Sequence, residues 1–115
     1  MSDSFIILPS SGLAAIYDDE VKRLYLWSKG AWNTAIVAGF QRDPDWVGGL
    51  KFILQGIQEG SGLPADLGQT AATMFEVSLR DPEAEDGMIK KVLVETAAGV
   101  EEVKISMVDT VRAAW

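Results

Sequence analysis

Short apolar runs alternate with turn-forming residues at roughly ten-residue spacing, the pattern of many short strands. Phe5-Ile6-Ile7-Leu8 is the first run, stopped by Pro9-Ser10-Ser11-Gly12; residues 13–17 are the second, stopped by Asp18-Asp19-Glu20. Residues 21–28 and 31–40 flank Lys29-Gly30 and read as a β-hairpin. That turn is weaker than Asn-Gly because Lys tolerates positive φ poorly. Residues 74–80, 88–96 and 100–109 read as a meander with turns at 81–87 and 97–99. The stretch 60–72, opening on Gly60-Ser61-Gly62-Leu63-Pro64, reads as a crossing loop with room for one short helical turn.

Residues 43–60 fit two periods, and the choice sets the fold class. As a helix over 44–59, Asp43 is the N-cap, Pro44 takes the first helical position and Gly60 closes the end. Trp46, Val47, Leu50, Ile53, Leu54 and Ile57 then share one face. Against this, Gly48, Gly49 and Gly56 each cost roughly 1 kcal/mol relative to Ala inside a helix, and Phe52 points to solvent. As a strand, 49–55 is also well patterned. An internal echo favours the strand. Arg42-Asp43-Pro44 and Arg80-Asp81-Pro82 each follow a β-like stretch, pass a loop ending in Gly and lead into a new apolar run. The expectation is a single domain over 1–115, mainly β: an antiparallel β-sandwich or β-roll of about seven or eight strands. The alternative is α+β, an antiparallel sheet packed on one helix over 44–59.

Composition narrows the chemistry more than the fold. The 115 residues are 48% hydrophobic and 23% charged, an ordinary globular balance. Net charge is −7, without the cationic surplus that phosphate or an anionic membrane demands, so no direct nucleic-acid partner is expected. The chain has no Cys and no His. Disulfides, thiolate nucleophiles, Ser-His-Asp triads and zinc sites built on His or Cys are therefore excluded. Gly48-Gly49 lacks the pattern of a dinucleotide-binding loop, and no Gly-Lys-Ser or Gly-Lys-Thr phosphate loop occurs. No cofactor and no membrane span are expected. The acidic, short apolar start Met1-Ser2-Asp3-Ser4-Phe5 is unlike a signal peptide, which makes a cytoplasmic location the default expectation.

Two constellations carry candidate chemistry. On the hairpin reading, Trp27 pairs with Trp32, Tyr25 with Thr34 and Arg23 with Ile36. One face then carries Arg23, Tyr25, Trp27, Trp32 and Thr34, and the other Leu24, Leu26, Ala35 and Val37. Flat rings with hydrogen-bonding tips on a rigid sheet suit a sugar ring or a protein partner. The plain alternative is that these rings are core, and a register slip of one residue would reverse the faces. The second constellation is acidic. Asp43, Asp45, Glu83, Glu85 and Asp86, gathered at one end of the sheet by the echoed loops, are a conceivable Ca²⁺ site. Their plain reading is solvated turns, with Asp43 and Asp81 as turn residues before Pro. The terminal Trp115 is expected to pack back on the domain.

The first functional expectation is a non-catalytic binding or assembly module that presents the aromatic face to a glycan, a protein partner or a second copy in a homo-oligomer. The second is a small enzyme working through paired carboxylates. The third is an acidic mimic of nucleic acid that inhibits a basic protein.

Overall fold

Period-two alternation is realised strand after strand. The computed structural model describes residues 5–32, 36–46, 49–58, 69–81 and 87–108. They form β1 (Ile6–Ile7), β2 (Gly12–Asp18), β3 (Arg23–Gly30), β4 (Ile36–Arg42), β5 (Lys51–Gln58), β6 (Gln69–Glu76), β7 (Lys91–Thr96) and β8 (Gly99–Val108). In β3 every second residue, from Leu24 to Gly30, is buried, and the residues between them are exposed. The strands make one eight-stranded sheet in the order β1-β5-β7-β8-β2-β3-β6, with β4 on the other edge of β5. Neighbours are antiparallel except β5 with β7 and β2 with β8, which run parallel. The sheet curls until β4 reaches β6, where the Phe40 N–H donates to Thr73 Oγ1 at 3.0 Å.

The concave side holds the core. Tyr17, Leu24, Leu26, Phe52, Leu54, Val92 and Val94 are all essentially removed from solvent. Phe52 and Phe75 pack with ring centroids 4.6 Å apart. Tyr17 satisfies its buried hydroxyl by donating to the Val77 carbonyl at 2.8 Å.

The segment 51–58 is therefore a strand, and no α-helix occurs among the described residues. Phe52, which a helix would expose, is fully buried. β5 alternates because it has partners on both edges and core on one face. The echo between the two Arg-Asp-Pro segments is structural. Arg42 pairs with Phe52 while the Asp43 N–H donates to the Lys51 carbonyl at 2.9 Å. Arg80 pairs with Met88 while the Asp81 N–H donates to the Gly87 carbonyl, also at 2.9 Å. In each case the Asp follows directly on the last antiparallel pair.

Two expected pairings are corrected. The 21–40 hairpin does not exist: β3 pairs with β2 and β6, and β4 pairs with β5. Lys29 and Gly30 continue β3 instead of turning it. Gly30 is needed because the Trp32 indole lies where a Cβ would stand. Of the expected meander, the β7–β8 hairpin forms in full, closed through Ala97-Ala98 with Gly99 at φ 122°, and the link from 74–80 to 88–96 is kept as the isolated antiparallel bridge between Arg80 and Met88. β6 starts at Gln69, inside the stretch expected to be a loop, and pairs with β3 rather than β7.

β1 is short but well placed. β5 and β7 pair only over Lys51–Ile53 and Leu93–Glu95 and then part. β1 enters that fork, pairing Ile6 with Gly56 and Ile7 with Gln55. Leu8 completes the insertion. Its N–H donates to the Leu54 carbonyl at 2.9 Å, its carbonyl accepts from the Ala97 N–H at 3.0 Å, and its side chain is buried.

Candidate functional site

The convex side of β2, β3 and β6 is where large apolar side chains face solvent. Register builds it row by row. Ile16 lies opposite Tyr25, and Tyr25 opposite Met74. In the next row Ala14, Trp27 and Ala72 stand side by side. Direct opposites on adjacent strands share a face, so the six residues form one patch. Ile16, Tyr25, Trp27 and Met74 keep 41%, 41%, 37% and 43% of their surface exposed. That is too much exposure for core, and the four adjoin one another.

Charge borders the patch. At one end Asp18, Arg23 and Glu76 form a row, with Arg23 Nη2 3.9 Å from Glu76 Oε1. At the other end Gly12, Lys29 and Thr70 form a row. Tyr25 and Trp27 give the patch a hydroxyl and an indole N–H, but their neighbours are Ala, Ile and Met. A sugar platform wants hydrogen-bonding groups around its rings, and this surface offers mainly shape and apolar area.

Of the five residues expected on the aromatic face, Arg23, Tyr25 and Trp27 share the exposed side of β3. Trp32 does not. It is 3% exposed, and its Nε1 donates to the Pro9 carbonyl at 2.7 Å. With β3 running straight through Lys29-Gly30, Trp32 folds back over Gly30 into the core. Thr34 lies outside the described residues. Ile16 and Met74 were missed as members of the site. Their alternation is legible in β2 and β6, but nothing local to 12–18 or 69–76 names β3 as their partner.

The acidic constellation is only partly described, since Glu83, Glu85 and Asp86 lie outside the described residues, as does Trp115. The Asp45 N–H donates to Asp43 Oδ1 at 3.1 Å, the local turn geometry of an Asp before Pro. The other Asp43 oxygen is 3.2 Å from Lys51 Nζ, and Glu95 Oε1 is 3.1 Å from the same nitrogen. The ammonium also lies 5.1 Å from the Trp46 ring centroid. Hydrogen bonds to Glu95 and then Asp43 raise the Lys51 pKa above its ordinary 10.5. Asp43 is thus committed to a lysine, and no cluster of three or more metal-ligating side chains occurs among the described residues. No family model matches the chain, and neither the curated proteins nor the solved structures provide a match.

Proposed function

We propose that this chain is a non-catalytic binding and assembly module whose β2–β3–β6 outer face packs against the same face of a second copy. The observation that carries the reading is the continuous row Ile16, Tyr25 and Met74 with Trp27 beside it, all large and all substantially exposed. Charge favours a second copy as the occupant. The chain carries −7, which opposes association over most surfaces. The border of this face is balanced: Asp18 and Glu76 against Arg23 and Lys29. A two-fold axis lying across the strands brings Lys29 of one copy to the Asp18–Glu76 end of the other, an isologous arrangement. We also read the curled sheet as a β-roll rather than a two-sheet sandwich. Supporting this is the unbroken pairing path from β4 through β5 to β6 and the Phe40–Thr73 bond between its two ends.

Sedimentation velocity tests the assembly. Wild type is expected to form a concentration-dependent dimer. Ile16→Glu and Met74→Glu are expected to be monomeric while keeping a cooperative melt, because neither side chain contributes to the core. A wild type that stays monomeric at every concentration, or variants that dimerise as well as wild type, would contradict the reading.

A further inference from the structure

A second fork opens between the other parallel pair. β2 and β8 pair over Ala15–Asp18 and Ile105–Val108. Toward their N-terminal ends they separate, leaving an open cleft of about 650 Å³ bordered by Ser10 to Ile16 on one side and Glu101 to Lys104 and Ser106 on the other. Over 101–104, β8 is paired only on its β7 edge; over 12–14, β2 is paired only on its β3 edge. Among the described residues no strand occupies the two inner edges.

The direction of the backbone groups follows from alternation. The Ile105 N–H donates to the Lys90 carbonyl, so Ile105, Val103 and Glu101 point their polar groups at β7. Those of Glu102 and the N–H of Lys104 point into the cleft. The Val77 N–H donates to the Lys22 carbonyl, so even residues of β3 address β6 and odd ones address Gly12, Ala14, Ile16 and Asp18. That leaves Leu13 aimed into the cleft from the β2 side. The cleft thus offers donors and acceptors on both walls at strand spacing.

The molecule itself indicates what fits. The fork between β5 and β7 is filled by β1, a short extended segment anchored by one buried leucine. The side-chain environment of the second fork adds chemistry. On the core side the open stretch presents Leu13 and Val103, then Glu101, which is exposed and forms no ion pair among the described residues. On the outer side Glu102 is held by Lys91 at 2.9 Å, and Lys104 stands beside it. Among the described residues, the charge left to match on the core side of this opening is Glu101.

The geometry points to the β2–β8 cleft as an acceptor for an extended peptide strand of a partner protein, with an apolar residue over Leu13 and Val103 and a Lys or Arg two residues away against Glu101. Backbone bonds to Leu13, Glu102 and Lys104 supply the affinity, and the apolar and basic pair supplies the selection. Four residues span the opening at about 3.3 Å each.

The test is an amide chemical-shift titration with the capped peptide Thr-Val-Thr-Lys-Thr. Three comparison peptides are used: one with Lys replaced by Glu, one N-methylated at alternate amides, and one with Val replaced by Ser. Saturating shifts are expected at Leu13, Glu102 and Lys104. N-methylation should abolish them, and Glu101→Lys or the Glu peptide should weaken binding about tenfold or more. If Glu101→Lys lowers the fold's stability, Glu101→Gln serves in its place, with the same direction and a smaller effect. The proposal is overturned by an absence of saturating shifts or by shifts indifferent to N-methylation. Shifts confined to Ile16, Tyr25 and Met74 would also overturn it, and would instead place the peptide on the outer face.

Discussion

Gly30 ends β3 directly beneath the indole of Trp32, and any Cβ there would overlap the ring. The indole also holds the Pro9 carbonyl, tying the chain before β2 to the end of β3. Trp32→Ala is expected to cost about 3–5 kcal/mol in chemical denaturation, the usual range for a buried aromatic. Trp27→Ala, on the exposed face, should cost far less; equal losses at the two positions would show Trp27 to be core. Lys51 makes a prediction in pH. Its folded pKa lies above its unfolded value, so its contribution to stability is complete below the unfolded value and lost as pH rises through the folded one. The lead of wild type over Lys51→Met in melting temperature should hold steady at neutral pH and close as pH climbs past 10.5. A lead that persists at higher pH would show that the ion pairs do not carry it. At this scale the sequence identified Tyr25 and Trp27 as a pair on one face, since two residues apart on a strand is a local fact. It put Trp32 with them by counting alternation across a turn that the chain does not make.

Between elements, partner choice was the illegible part. Seven stretches of strand could be located from alternation and punctuation, and 49–55 could be preferred as strand through the Arg-Asp-Pro echo. Which strand lies beside which depends on contacts far apart in sequence. β3 takes β2, its neighbour in the chain, and β6, whose Met74 lies 49 residues beyond its partner Tyr25, and no pattern inside 21–40 encodes the second choice. Glycine placement shows the same limit. Gly56 reads as a helix breaker or a weak strand residue, yet its role is to admit β1 and β4 on either side. A Cβ there would stand 2.6 Å from Ile36 Cγ2 and 3.1 Å from Leu8 Cδ1. Gly56→Val should therefore destabilise the protein by about 1–3 kcal/mol. It should also speed amide exchange at Leu8 and Ala97, which join β1 to its neighbours. Faster exchange spread evenly over all strands would mean that the strain is not local to the β1 fork.

At the scale of the whole molecule, one curled sheet has a buried concave side and an outer face that carries the exposed apolar row. The concave side is filled, and the charges in the rows that border the β2–β3–β6 face balance, Asp18 and Glu76 against Arg23 and Lys29. On the proposed reading, the exposed apolar row is where two acidic copies meet, with balanced charge at its border and apolar area to remove from water. The absence of cysteine makes this directly measurable, because an introduced thiol is the only one in the chain. Tyr25→Cys puts it at the centre of the face, and Val37→Cys puts it on β4, where the native side chain is 60% exposed. With a short thiol–thiol cross-linker, Tyr25→Cys is expected to give a covalent dimer rapidly and Val37→Cys only slowly. Equal rates from the two positions, or no dimer from Tyr25→Cys, would contradict assembly through the β2–β3–β6 face.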